Sequence, residues 1–319
     1  MNHKNKATGL APSYRTDLGE MYCGETRTIL ENKTIQRLYA GKCDLIFFSP
    51  PYALQKQKAY KNEQADAYVT WFQSFAQPLA NMLSDTGSIV IEIGNAWNAG
   101  SPTMSTATIE ALLAFKQAAG LHLCQEIIWH NPARLPSPAQ WVTVERSRLK
   151  DSFTRIWWLS TTETPKADNR RVLHPYSASM KRLLEKKKYN AGKRPSEHVI
   201  SEESFLTDNG GAIAPSMLNN ELLDSVLYMS NTAVDHSYRD YCRDHVLKQH
   251  PARMPENLAR FFISFLTEGN DLVFDPFAGS NTTGSVAERL GRRWFSIEMS
   301  EEYVKGSIAR FSTSNLTKA

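Results

Sequence analysis

Short apolar runs alternate with helical stripes in two blocks at opposite ends of the 319-residue chain, and this rhythm constrains the fold more than any other feature. In the first block Glu20–Gly24 is a short strand-like piece, and Asp44–Phe48 is an apolar run stopped by Pro50 and Pro51, which cannot continue a central strand. Tyr68, Trp71, Phe72, Phe75 and Leu79 recur at helical spacing. Gly87 separates that helix from the β-branched run Ser88–Ile93. A helix over Thr106–Ala119 leads into the strand Leu123–Trp129, and Thr154–Leu159 follows a loop carrying Pro132, Pro136 and Pro138. The last block repeats the pattern: a stripe of Leu258, Phe261, Phe262, Phe265 and Leu266, a strand Asp271–Phe274, a helix Thr282–Leu290, a strand Trp294–Ile297 and a helix Glu301–Phe311. Such alternation implies an α/β fold, with a mostly parallel sheet covered by helices on both faces. No long linker divides the blocks, so the first and last are expected to complete one sheet.

Between them, roughly Ser160 to Gln249, the rhythm is lost. Lys166 to Arg194 holds ten Lys or Arg residues against Asp168 and Glu185. Lys186, Lys187 and Lys188 sit in a helix expected to begin near Ser177. A solvated helix face and a polyanion-binding surface both account for this run. The whole chain is only mildly basic, with a net charge of +4, so the distribution says more than the total. With 41% hydrophobic and 22% charged residues the chain is not of the disordered class. Cys23, Cys43, Cys124 and Cys242 form no C-x-x-C pair, which argues against a zinc site or a disulfide framework, and no bound metal is expected. No apolar run approaches a membrane span, and Met1 to Asp17 lacks an apolar signal-peptide core, so a cytoplasmic protein is expected.

Ser49-Pro50-Pro51-Tyr52 directly follows the strand Asp44–Phe48, and ligands in open α/β sheets bind outside the carboxyl ends of strands. The two prolines stiffen the backbone and remove amide donors, leaving carbonyl oxygens as the main-chain polar groups. Ser49 Oγ and the Pro50 carbonyl are therefore acceptors, and Tyr52 offers a flat face for stacking. The second motif, Phe274-Asp275-Pro276-Phe277-Ala278-Gly279-Ser280-Asn281-Thr282, follows a strand and opens a helix. Strand, small-residue turn and helix aim backbone amides and a positive helix end at an anionic group. Glu298 ends the next strand, where an acid suits a ribose diol. Asp275 is also suited to a purely structural role as a turn or cap residue. No G-x-G-x-x-G occurs, which counts against a nicotinamide or flavin cofactor.

Together these residues resemble the DNA amino-methyltransferases, whose signature at this strand end is Asp, Asn or Ser, then Pro-Pro and an aromatic residue, and whose cofactor loop resembles Asp275–Ser280. The resemblance implies a seven-stranded Rossmann-like sheet, S-adenosyl-L-methionine as cofactor, and methyl transfer to an exocyclic amino group of a flipped base. By resemblance, Ser49, Pro50, Pro51 and Tyr52 are the catalytic residues. Asp275, Pro276, Phe277, Ala278, Gly279, Ser280, Thr282 and Glu298 bind the cofactor, joined by His250, Pro251 and Arg253 from the Pro-rich segment before the Leu258 helix. The order, with Pro-Pro-Tyr first, a basic block second and the cofactor loop last, resembles the β class. It divides the chain into a catalytic half (1–159), a target-recognition region (160–249) and a cofactor half (250–319). Protein glutamine and RNA amino-methyltransferases carry the opposite order and are disfavoured; a non-catalytic DNA-binding regulator is a further alternative.

Ser49 is similar to the serine of cytosine-N4 enzymes of restriction–modification systems, where adenine-N6 relatives more often carry Asp or Asn. Lys56, Arg170, Arg171, Lys186, Lys187, Lys188, Lys193 and Arg194 are the DNA-binding candidates. Lys56 belongs to a loop that would close over DNA or cofactor, or be a mobile surface loop without a partner. The implied partners are double-stranded DNA, a second copy of the chain in a homodimer and a cognate restriction endonuclease; the implied place is a bacterial or phage-type cytosol, associated with the nucleoid.

Overall fold

A computed structural model describes residues 10–51, 65–189, 192–193, 195–196, 199–201, 205–226, 236–311 and 317–318. In chain order the strands are β1 (Tyr14–Arg15), β2 (Gly19–Cys23), β3 (Cys43–Phe48), β4 (Leu83–Gly94), β5 (Ala96–Trp97), β6 (Met104–Ser105) and β7 (His122–His130). They continue as β8 (Phe153–Ser160), β9 (Gly192–Lys193), β10 (Val199–Ile200), β11 (Met217–Asn219), β12 (Leu272–Asp275), β13 (Arg293–Glu298) and β14 (Thr317–Lys318). The helices are α1 (Thr26–Leu30), α2 (Lys33–Tyr39), α3 (Ala65–Gln73), α4 (Ala76–Ala80), α5 (Ala107–Ala118) and α6 (Ala178–Lys186). After them come α7 (Asn220–Ser225), α8 (His236–Asp244), α9 (Glu256–Leu266), α10 (Thr282–Arg289) and α11 (Glu301–Ser307).

One sheet runs in the order β11-β7-β8-β4-β3-β12-β13-β2-β1-β14. The seven strands from β7 to β2 are its centre; short edge strands make it larger than the seven expected. Two joins bring the ends of the chain together: β3 pairs in parallel with β12, and β2 with β13. Two strands break the parallel pattern: β8 runs antiparallel to both β4 and β7, and the short edge strand β1 runs antiparallel to β2 and β14. Strands β2, β3, β4, β7, β12 and β13 therefore present their carboxyl ends along one edge.

β3 is buried on both faces, which is why it reads as a continuous apolar run. Its successive side chains enter opposite cores. Phe48 meets Phe72 of α3, and Phe47 meets Phe262 of α9 at 5.4 Å between ring centroids. Two local departures from the sequence reading have identifiable causes. The stripe from Tyr68 to Leu79 breaks into α3 and α4 because Pro78 has no N–H for the Ser74 carbonyl and its ring clashes there. β4 continues through Gly87 rather than starting after it. The pairing slips from Cys43–Leu83 to Leu45–Ser88, and a Cβ on Gly87 would lie 2.5 Å from the Cys43 carbonyl oxygen.

The basic segment after β8 starts at the opposite, amino-terminal edge of the parallel strands. Lys166 pairs with Asp271 at 2.8 Å, its amide donates to Thr86 O, and Asp168 N donates to Phe265 O. β11 then returns to the sheet beside β7, so the middle block supplies one edge strand of the sheet itself.

Candidate active site

Along the carboxyl edge lies a cavity of about 320 Å³. Ser49, Pro50 and Pro51, immediately after β3, form one wall. Asp275 through Ser280 form another, with Glu298 at the end of β13 and His250 and Arg253 before α9. Residues more than 220 positions apart in sequence thus line one space, because β3 and β12 are neighbours in the sheet.

The turn after β12 is fixed from several sides. Asp275 Oδ1 accepts from the Phe277 amide at 3.0 Å, so its turn-forming role is real. Ala278 N donates to Ile297 O at 2.9 Å. Gly279 N donates to Glu298 Oε2 at 2.8 Å, and Ser300 N to the other carboxylate oxygen at 2.8 Å. Each of those oxygens keeps a second lone pair for a ligand hydroxyl. Gly279 has φ +53, and a Cβ there would stand 3.0 Å from His250 Nε2; both facts favour glycine. Asn281, also left-handed at φ 55, caps α10 through its side chain to Gly284 N and donates to the buried Tyr14 hydroxyl.

Both acids are desolvated. Burial pushes the Asp275 carboxyl up to about 7, with nearby Glu298 adding to the rise, and burial also raises Glu298. A pocket with a buried acidic floor favours a ligand that carries positive charge and hydroxyl donors. Phe277 closes the wall between the two motifs. Its ring packs 5.5 Å from Phe48, 5.1 Å from Phe75 and 6.0 Å from Trp71, an apolar slot of aromatic faces.

Not every expected residue reaches this space. Pro251 is exposed and Thr282 is buried behind the turn; neither lines the cavity. Tyr52, Lys56 and Arg194 lie outside the described residues. Arg171 is directed to Glu268 at 3.1 Å and to Phe265 O, at the amino-terminal edge, and Arg170 makes a two-pronged pair with Asp168. Neither is brought to the cavity. Lys186, Lys187, Lys188 and Lys193 are exposed.

The sequence reading missed Glu25, Thr26 and Arg27, which line the cavity from the start of α1. Thr26 Oγ1 donates to Pro276 O at 2.6 Å and joins α1 to the turn. The available signal was the strand ending at Gly24, whose carboxyl end also meets this edge. Trp71 and Phe75 were visible as a helical stripe, but spacing alone does not tell a cavity wall from a core.

The DNA methylase family matches residues 43–310. The Type II methyltransferase M.PvuII of Proteus hauseri is 41% identical over 312 residues, covering 97% of this chain and 88% of that one. M.BglII of Bacillus subtilis is 25% identical over 90% of this chain and 67% of its own length. A solved PvuII DNA methyltransferase, described as cytosine-N4-specific, superposes with a TM-score of 0.72 at 35% identity, covering 97% of this chain and 92% of the other. TTHA0409 of Thermus thermophilus, solved complexed with S-adenosyl-L-methionine, shares the fold with a TM-score of 0.53 at 17% identity, over 91% and 93% of the two chains. A match spanning both walls of the cavity and everything between them settles the family: the chain belongs to the DNA methylases.

Proposed function

We propose that this protein transfers a methyl group from S-adenosyl-L-methionine to the exocyclic amino group of a base in double-stranded DNA, with cytosine N4 as the target. The observation that carries this reading is the single cavity walled by Ser49-Pro50-Pro51 on one side and Asp275–Ser280 with Glu298 on the other. Its size falls within the range of small-molecule sites, roughly 300–1,000 Å³. The donor set also fits: the buried Asp275 and half-buried Glu298 for a cationic amino acid portion and a ribose diol, and an aromatic slot for an adenine. When bound, the cofactor supplies an electrophilic methyl group.

The protein's own part is to make a poor nucleophile better. An exocyclic amine delocalises its lone pair into the ring. Ser49 Oγ and the Pro50 carbonyl accept hydrogen bonds from its two N–H groups and favour a pyramidal nitrogen. These bonds strengthen as positive charge builds on nitrogen, so they act on the transition state. Tyr52 stacks on the extruded base. None of the four cysteines lines the cavity, which favours amino methylation over a mechanism needing a thiol nucleophile. Serine at position 49 and the likeness to a cytosine-N4-specific enzyme favour cytosine over adenine.

Residues 160–249 serve as the target-recognition region between the catalytic (1–159) and cofactor (250–319) halves. The exposed Lys186, Lys187, Lys188 and Lys193 supply phosphate contacts, with the affinity that salt screens. A homodimer, a cognate endonuclease and a cytosolic location belong to the same reading. Among the described residues no helix is long and apolar enough to cross a membrane.

Nucleoside mass spectrometry of DNA treated with the protein and cofactor tests the reaction. N4-methylcytosine is the expected product. N6-methyladenine would move the target to adenine, and C5-methylcytosine would overturn the amino-group chemistry.

A further inference from the structure

The loop between β7 and β8, residues 131–152, is absorbed by none of the roles above, yet it rises from the same edge as the cavity. β7 is antiparallel to β8, which is antiparallel to β4, so β7 delivers Asn131 to the carboxyl edge. With strands about 4.8 Å apart, the end of β7 lies roughly 14 Å along the sheet from the end of β3 and Ser49. The loop is pinned at its base. Asn95, directly after β4, donates to Asp151 at 2.9 Å, Arg134 donates to Phe153 O at 2.9 Å, and Arg148 lies 3.1 Å over the Trp97 ring.

Above that base the loop exposes apolar side chains without packing them. Leu149 is 90% exposed, Leu135 83% and Val144 67%. Three large aliphatic side chains of one short braced loop are thus held in water, an arrangement suited to an interaction surface. Charge indicates which. Arg134, Arg146, Arg148 and Lys150 stand against Glu145 and Asp151, and Arg146 makes no ion pair among the described residues. Basic residues interleaved with apolar wedges suit a duplex, whose phosphates take the cations and whose opened base step takes the wedge.

We infer that this loop enters the DNA duplex beside the target, Leu149 and Leu135 filling the space that the extruded base leaves while Arg146 and Lys150 hold the flanking phosphates. The inference rests on the DNA methyltransferase reading and deepens it. It makes these leucines positioning residues: they hold the base out of the stack without touching the reacting amine.

The test uses the double variant Leu135→Ala, Leu149→Ala, whose exposed positions leave the core intact. Methyl transfer is measured on a short duplex carrying the mapped site, with the target base either paired or opposite an abasic position. Because extrusion from a paired stack is the costly step, kcat/KM on the paired duplex should fall on the order of 10-fold or more and recover on the abasic one. The cofactor Kd should be unchanged. Equal loss on both duplexes, or no loss, overturns the wedge. A shift in sedimentation of the variant towards smaller species, with wild-type kinetics per site, would assign the surface to a second copy instead. A wild-type protein that methylates no DNA removes the functional reading and the wedge with it.

Discussion

At Asp275 the protein holds a carboxyl where burial opposes its charge. The unfolded chain releases this proton near 3.8, whereas the folded site holds it to about 7. The folded carboxyl thus favours the native state below about pH 4, and that contribution is lost as the pH rises towards 7. A tenfold change in proton affinity corresponds to about 1.4 kcal/mol. Asp275→Asn keeps an acceptor for the Phe277 amide and removes the charge. Without cofactor the variant should be more stable than the wild type at pH 8, on the order of 1–4 kcal/mol by denaturant titration. Its affinity for S-adenosyl-L-methionine in calorimetry should collapse. Wild-type affinity should strengthen as the pH rises through 7, since the ionised acid is the form that attracts a cation. A variant equally stable at pH 5 and pH 8 relative to wild type would remove the strained acid from the account. This tension was not legible in the sequence: the motif marked Asp275 as important, but its burial depends on β3, β13 and α10 closing around it.

Among the elements, the turn after β12 is braced by a residue that no motif announced. Arg310, in the short 3-10 helix after α11, donates to Ser280 O at 2.6 Å and to Ser280 Oγ at 3.0 Å, and reaches Glu256 at the start of α9. Its side chain is only 3% exposed. Arg310→Ala would leave buried acceptors unpaired, costing about 3–5 kcal/mol and weakening cofactor binding, whereas paired-base selectivity should not change. Thermal melts with and without cofactor check both effects. The sequence could not show this contact, because 30 residues separate its partners and their spacing has no period. What it did show was local: β3 through its uninterrupted apolar run and proline stop, α6 through its start near Ser177, α9 through its stripe. Direction escaped it, since period-2 patterning is the same for a strand running either way. β8 therefore read as one more strand of a parallel set. Individual charges within the basic run were illegible for a related reason. Composition counts charges without naming partners, and Arg171 spends its charge on Glu268 and the end of α9.

For the whole molecule, the consequence of the strand order is that two motifs at opposite ends of the chain share one edge, which is how a permuted order of motifs still yields one cavity. The family's architecture was legible because both motifs sit at strand ends, where α/β sheets bind ligands; the three extra edge strands were not, being two or three residues long. Division of labour between the walls follows. Lys186→Ala should lower DNA affinity and reduce its salt dependence by about one counterion, leaving cofactor affinity alone. Ser49→Ala separates the proline corner, which acts on the reacting amine, from the acidic turn, which only holds the cofactor. Single-turnover methyl transfer and calorimetric cofactor affinity are measured on the same preparation. The rate should fall by roughly 100- to 1000-fold with an almost unchanged Kd; methyl transfer at the wild-type rate would remove the proline corner from the chemistry.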